Sequence, residues 1–127
     1  MAGLRLDDPI SNAAGTGPAT FTGQWASKAW VNFNGTGTIA IRSSENVSSL
    51  TDNGTGRYST NLTSALSSTD DAAAGGHAGE ETGGIQVASP RLGFVSTSEY
   101  DQFTAVASSG SALDTSFVYV TIHGDLA

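Results

Sequence analysis

The chain has 127 residues, with 12 acidic and 5 basic side chains, a formal net charge of −7 and no cysteine. Because the five basic residues are scattered singly, no basic stripe is available to neutralise phosphates, which argues against nucleic acid and anionic membranes as partners. The absence of cysteine excludes thiolate catalysis and cysteine-ligated zinc, and it indicates assembly in a reducing cytoplasm. No apolar run approaches the roughly 20 residues of a membrane span, and the N-terminus has no signal-peptide pattern, so we expect a soluble, non-secreted protein.

Residues 1–27 differ in composition from the rest of the chain. They contain two of the three prolines, Pro9 and Pro18, and the flexible run Ala13–Gly17, with few apolar side chains to bury. Such a segment is either disordered or held by another surface. We predict an extended N-terminal arm that lies on a neighbouring subunit or on another protein.

Two β-hairpins are predicted after the arm, because the tetrapeptide Asn-Gly-Thr-Gly occurs at Asn34–Gly37 and again at Asn53–Gly56. Asn-Gly pairs tolerate the positive φ that tight hairpin turns require. Apolar residues alternate beside the turns, as with Val31 and Phe33, which indicates strands with one buried face. The residues predicted to form the two turns are Asn34, Gly35, Gly37, Asn53, Gly54 and Gly56.

Residues 28–127 are predicted to form one all-β domain, a β-sandwich or jelly roll. No stretch combines a helical period with good helix formers. The acidic, glycine-rich segment Ser67–Gly84 is predicted to be an exposed loop or a projecting lobe, because its composition cannot form a core. Eight short strands are predicted, at Ala29–Phe33, Thr38–Arg42, Asn46–Thr51, Arg57–Leu62, Ile85–Ala88, Arg91–Val95, Gln102–Ala107 and Ser116–His123.

The last predicted strand is apolar on both faces. Its core-facing positions are expected to be Val118, Val120 and Ile122. Phe117 and Tyr119 then lie on the opposite side, where either a second layer of the protein or a partner subunit must cover them. The shortage of large apolar residues for a second layer favours a subunit interface. We therefore predict Phe117, Tyr119 and the arm residue Trp25 as interface residues.

The two tryptophans are also candidates for stacking on sugars. Trp30 alternates with strand residues, which favours a place in the core, whereas Trp25 lies near the arm and is the better surface candidate. A carbohydrate-binding module or a depolymerase fragment is therefore the alternative interpretation. It would require an aromatic platform or a cleft with convergent carboxylates, and the sequence shows neither clearly.

Motifs for catalysis and metal binding are not evident. The sequence contains two histidines, His77 and His123, but no Gly-x-Ser-x-Gly nucleophile motif with which either could act. No catalytic residue is therefore predicted. Adjacent carboxylates in an extended chain point to opposite sides and rarely share one ion, so neither a metal nor another cofactor is predicted. The sequence leaves open whether the acidic loop Asp70–Glu81 binds an ion.

A family resemblance is carried by Ala29–Arg42, Asn46–Ser49, Thr51–Gly56, Tyr58 and Asn61–Leu66. This pattern resembles a module common in tail-fibre and related structural proteins of tailed bacteriophages, especially marine and cyanobacterial ones. The upstream segment Ile10–Pro18 is similar to one found just before such modules. The resemblance implies a non-enzymatic, trimeric virion component with a β-rich body. The chain departs from the pattern after Leu66, where Ser67–Gly84 replaces a turn into another strand.

We therefore expect a bacteriophage virion protein, a homotrimer assembled in the host bacterial cytoplasm. As a fibre or knob module it would contact the host surface and its glycans, and trimer symmetry would multiply weak contacts. As a capsid decoration (cement) protein it would bind other virion proteins through residues 1–27 and stabilise only the assembled shell. Both versions are non-enzymatic and need neither nucleic acid nor a membrane.

Overall fold

The computed structural model describes residues 27–79 and 93–127, together with the backbone of residues 86–89. All regular structure in this part of the chain is β-strand, and no helix in it is long and apolar enough to span a bilayer. The nine strands within it are β1 (Ser27–Asn34), β2 (Ala40–Glu45), β3 (Val47–Asp52), β4 (Arg57–Leu62), β5 (Ala73–Gly79), β6 (Gln86–Ser89), β7 (Phe94–Ser96), β8 (Glu99–Val106) and β9 (Phe117–His123).

The strands form two antiparallel sheets. Sheet A has the order β2-β1-β9-β5, and sheet B has the order β3-β4-β8-β6, with β7 also paired to β8. The first strand therefore lies beside the last, and the chain crosses repeatedly from one sheet to the other, an arrangement of the sandwich or jelly-roll type. The predicted all-β, sandwich-like fold is confirmed.

The two sheets face each other across one apolar core. Its buried residues are Ala29, Val31, Phe33, Tyr58, Leu62, Leu66, Tyr100, Val118, Val120 and Ile122. Phe33 of sheet A meets Tyr58 of sheet B edge to face, with ring centroids 5.2 Å apart. Full burial of one such large side chain contributes roughly 1.5–3 kcal/mol, which explains why the alternation predicted for β1 and β9 is observed.

Asn46 forms a corner at which the chain passes from sheet A to sheet B. It is the single residue between β2 and β3, and its φ of 55° is a left-handed conformation that asparagine tolerates better than most residues. Its side-chain amide donates to the backbone oxygens of Lys28 and Ser64, both at 3.1 Å. The side chain therefore ties the corner to β1 and to the segment after β4.

Both predicted hairpins are present. β1 pairs with β2, β3 pairs with β4, and β4 has the predicted bounds. β2 begins at Ala40 rather than at the predicted Thr38, because residues 35–39 form the connection between the first two strands. The outline of residues 27–62 therefore follows the turn signals closely.

The prediction of an exposed loop or projecting lobe at Ser67–Gly84 is wrong for its central part. β5 lies there, at the edge of sheet A, and pairs along its whole length with β9. Alanine and glycine have low strand propensity and show no apolar–polar alternation, so this strand leaves no pattern in the sequence. Close packing explains one of its glycines, since a Cβ at Gly76 would lie 2.7 Å from the backbone oxygen of Tyr119.

Some predictions fall largely or partly on residues that are not described. The arm is one of them, because residues 1–26, which include Trp25, lie outside the described part of the chain and Ser27 already belongs to β1. The predicted strand Arg91–Val95 overlaps β7, and its first two residues also lie outside. The arm and the role of Trp25 stay predictions.

Candidate functional site

Three aromatic side chains lie on the outer side of sheet A. Core residues fill the inner positions of β1 and β9, so Trp30, Phe117 and Tyr119 project from the opposite side. Trp30 is 37% exposed and Tyr119 is 42% exposed. We call these three residues, together with Arg42, the aromatic face. The prediction that Trp30 lies in the core is wrong, because the residues on either side of it take the inward positions.

Phe117 and Tyr119 form an aromatic platform in which the two rings are stacked. They lie two residues apart on β9 and therefore on the same side, as predicted. Their rings are nearly parallel, at an angle of 14°, with centroids 6.3 Å apart. The platform runs along the strand and is held by a backbone that is paired on both sides, to β1 and to β5.

Arg42 covers one end of this platform from within the same protomer. The pairing of β1 with β2 shifts at this point, and the resulting bulge re-aims the arginine side chain. The guanidinium carbon lies 4.4 Å from the centroid of the Phe117 ring, and Nη1 donates to the backbone oxygen of Phe33 at 3.1 Å. A cation over a ring face is attracted by the ring quadrupole. Phe117 is therefore half-buried, and Tyr119 is the open ring.

An open groove of about 180 Å³ lies beside Tyr119. His77 is paired with Tyr119, and Gly75 with Thr121, in the register of β5 with β9, so these four residues share the outer side of the sheet. The backbone of Gly76 completes the lining. A Cβ at Gly75 would meet no atom within 4 Å, so the glycine leaves the floor of the groove open.

The predicted turn residues lie in the two hairpin connections but do not all act as predicted. Positive φ occurs there at Gly37, Gly54 and Gly56. The prediction that the Asn-Gly pairs supply it is wrong for both asparagines, which act through their side chains. Asn34 Oδ1 accepts a hydrogen bond from the Thr36 N–H at 3.1 Å. Asn53 Nδ2 donates to the Ser59 hydroxyl at 2.7 Å.

A buried hydrogen-bond cluster connects the two turns. The Tyr58 hydroxyl lies 2.9 Å from both the Gly35 oxygen and Asp114 Oδ1, so one proton serves two acceptors. The Gly56 N–H donates to the same Asp114 oxygen at 2.7 Å. Burial, assisted by the Asp114 carboxylate, raises the pKa of Tyr58 and keeps its hydroxyl protonated. Local sequence could not indicate this cluster, since Asp114 lies 56 residues from Tyr58.

The other titratable candidates lie apart. His77 lies on β5 rather than in a loop, and His123 is exposed at the end of β9. Asp70 and Asp71 lie in an exposed turn, and the two glutamates of that acidic loop lie outside the described residues. In the part of the chain that the structure describes, no three His, Asp or Glu side chains are grouped so that they could hold a metal ion.

Sequence reasoning identified two of the four residues of the aromatic face, Phe117 and Tyr119. It named Trp30 but assigned it to the core, and it missed Arg42 and the groove because the bulge and the strand β5 have no local signal. No family model, curated protein or solved structure matches the chain. The function is therefore inferred from what the aromatic face and the groove can bind.

Proposed function

We propose that this protein is a non-enzymatic structural component of a bacteriophage virion, displayed as a homotrimer, either as a fibre or knob module or as a capsid decoration protein. The observation that carries the proposal is the exposed aromatic face on a rigid β-sandwich. The resemblance of Ala29–Leu66 to tail-fibre modules supports the viral setting.

Exposed aromatic side chains on one side of a rigid sheet are typical of contact surfaces. The outer side of sheet B differs at β3 and β4, where polar side chains bond to one another. Asn61 Nδ2, for example, donates to the hydroxyls of Ser49 and Thr51, both at 3.2 Å. We infer that the molecule makes its main contact through sheet A, and its mechanism is adhesion by buried area and aromatic packing rather than chemical transformation.

The location of the protein on intact particles tests this proposal. Quantitative mass spectrometry of purified virions gives the copy number, and cryo-electron microscopy gives the position. Many copies spread over the shell would identify a decoration protein, and a small number at the tail or at a vertex would identify a fibre or knob. Absence of the protein from purified particles would overturn the proposal.

A carbohydrate-binding module is the second candidate function, and one observation favours it. The groove beside Tyr119 combines an open aromatic ring with the hydrogen-bonding side chains of His77 and Thr121. Such a combination suits a sugar, which has both apolar C–H faces and hydroxyl groups. A glycan array screened with the purified protein tests this candidate, and binding to no glycan would dispose of it.

A further inference from the structure

We propose that the groove formed by Gly75, His77, Tyr119 and Thr121 binds one neutral pyranose ring of a glycan, stacked on the Tyr119 ring. The inference rests on the second candidate function and names its ligand and its site. It also assigns Tyr119 to the ligand rather than to the subunit interface predicted from sequence.

The Tyr119 ring supplies the stacking surface. It is 42% exposed, and the adjacent Phe117 ring, nearly parallel to it, stacks beside it along β9. One face of a pyranose ring presents C–H groups, and burying them against an aromatic ring removes apolar surface from water. A ring held by a paired strand loses little conformational entropy when a ligand binds to it.

The glycine floor gives the sugar room beside the ring. Gly75 is paired with Thr121 on the outer side, and no atom lies within 4 Å of the position that its Cβ would take. The groove volume of about 180 Å³ is smaller than the roughly 300–1,000 Å³ typical of sites for drug-sized ligands. A single ring is therefore the part of a glycan that the groove can hold.

Polar side chains at the rim match sugar hydroxyls. The Thr121 hydroxyl and the His77 imidazole can each donate or accept a hydrogen bond, as can the Tyr119 hydroxyl. Among the described residues that line the groove there is no carboxylate, lysine or arginine. The cation of the aromatic face, Arg42, lies over Phe117 instead. The charge pattern therefore favours a neutral sugar over an acidic or an amino sugar.

Titration of the ¹⁵N-labelled full chain with methyl glycosides of glucose, galactose, mannose and N-acetylglucosamine tests the proposal. At least one glycoside is expected to shift the amide resonances of Gly75, His77, Tyr119 and Thr121 in a saturable manner, with affinity in the millimolar range. No saturable shift of these resonances with any of the four would overturn the proposal.

Substitutions separate the contribution of the Tyr119 ring to sugar binding from that of the groove floor at Gly75. Tyr119→Ala is expected to weaken binding at least tenfold, whereas Tyr119→Phe stays within about threefold because the stacking surface is kept. Gly75→Val fills the floor of the groove and is expected to abolish binding, and a β-branched residue suits a strand, so the variant should fold. Val95→Ala, at a 59% exposed site on sheet B, is the matched control and should bind like the wild type. Unchanged affinity of Tyr119→Ala or Gly75→Val would contradict the proposal.

Light scattering on the Tyr119→Asp variant distinguishes this inference from the subunit interface. The mass of the variant is expected to equal that of the wild type. A lower mass would show that a second copy of the chain covers Tyr119, which overturns the glycan site but leaves the virion function in place. Saturable sugar binding by a protein that is absent from purified virions would overturn the virion function and support the glycan site.

Discussion

The two Asn-Gly-Thr-Gly turns use their glycines for different physical reasons. In the first turn, Gly37 has φ 62° with open space around it, and Gly35 is required for room, since its Cβ would lie 2.5 Å from the Tyr58 hydroxyl oxygen. In the second turn, Gly56 meets both demands, because it has φ 66° and its Cβ would collide with the backbone oxygen of Thr104. The same tetrapeptide is therefore subject to different conformational and steric constraints in the two turns.

Alanine substitution at the two equivalent glycines should separate strain from crowding. Gly37→Ala introduces only the cost of a left-handed alanine, about 1–2 kcal/mol of unfolding free energy. Gly56→Ala adds a backbone collision of the overpacking kind, and a total loss of about 3 kcal/mol or more is expected. Urea unfolding of both variants measures the difference. Equal losses would show that crowding at Gly56 is relieved at no cost.

The Tyr58 hydroxyl should contribute measurably to stability, because it is buried and bonded to both turns. Tyr58→Phe leaves the Gly35 oxygen and Asp114 without this donor, and a loss of about 1–3 kcal/mol is expected. Tyr119→Phe, at an exposed ring, is the control and should change stability by less than about 0.5 kcal/mol. Similar unfolding free energies for Tyr58→Phe and wild type would show that the Tyr58 hydroxyl cluster does not stabilise the fold.

The same hydroxyl predicts a pH dependence. Burial first, and Asp114 next, raise the pKa of Tyr58 above its ordinary value of 10.0, so the native state binds the phenolic proton more tightly than the unfolded state does. This contribution is fully present below pH 10 and is lost as the pH rises through the folded-state pKa. Unfolding free energy should therefore fall above about pH 10, and less steeply in Tyr58→Phe. Burial also raises the pKa of Tyr100, which contributes equally in both proteins.

At the scale of elements, the corner at Asn46 decides how β2 continues into the second sheet. Asn46→Ala and Asn46→Gly both lose the amide hydrogen bonds to Lys28 and Ser64, but only alanine adds left-handed strain. The alanine variant is expected to be the less stable of the two by about 1 kcal/mol. Asn61, within β4, is the control, and there the order should reverse, because glycine weakens a strand interior. Thermal or urea unfolding of the alanine and glycine variants at Asn46 and Asn61 measures these differences in stability. If alanine were less stable than glycine at both sites, the role assigned to the corner would be contradicted.

β5 is a strand that the sequence analysis did not predict, and its composition explains why. Strand patterns are visible when large apolar residues alternate with polar ones, as in β1 and β9. In β5 the inward positions are Ala74, Gly76 and Ala78, paired with the large Ile122, Val120 and Val118 of β9. The partner strand fills the space, so small residues suffice in β5. The signal for this strand lies about 45 residues away, in the sequence of its partner.

At the scale of the whole molecule, the proposed trimer makes a direct prediction. Multi-angle light scattering of the full chain should give the mass of three 12.9-kDa protomers. Trimer symmetry would repeat the aromatic face three times, and a weak site gains avidity when several copies engage one surface together. A monomer at all concentrations tested would contradict the homotrimer, and each protomer would then have to act alone.

Local physical chemistry made much of this fold predictable. Turn residues marked the hairpins of β1 with β2 and β3 with β4, and period-two alternation identified the core side of β9 with Phe117 and Tyr119 opposite it. These features depend on neighbours within a few residues, so they can be predicted from the local sequence. The arm predicted at residues 1–27 and its partner stay predictions from composition.

The sequence by itself determined the all-β class, the two hairpins and the inward face of the last strand, because each follows from side-chain period and turn chemistry. Only the tertiary structure decided the rest. It placed Arg42 over Phe117 through a bulge. It also brought β5 beside β9, which opened the groove at Tyr119. These outcomes depend on contacts between residues far apart in the chain, where the choice of strand partner, rather than local preference, sets the free energy.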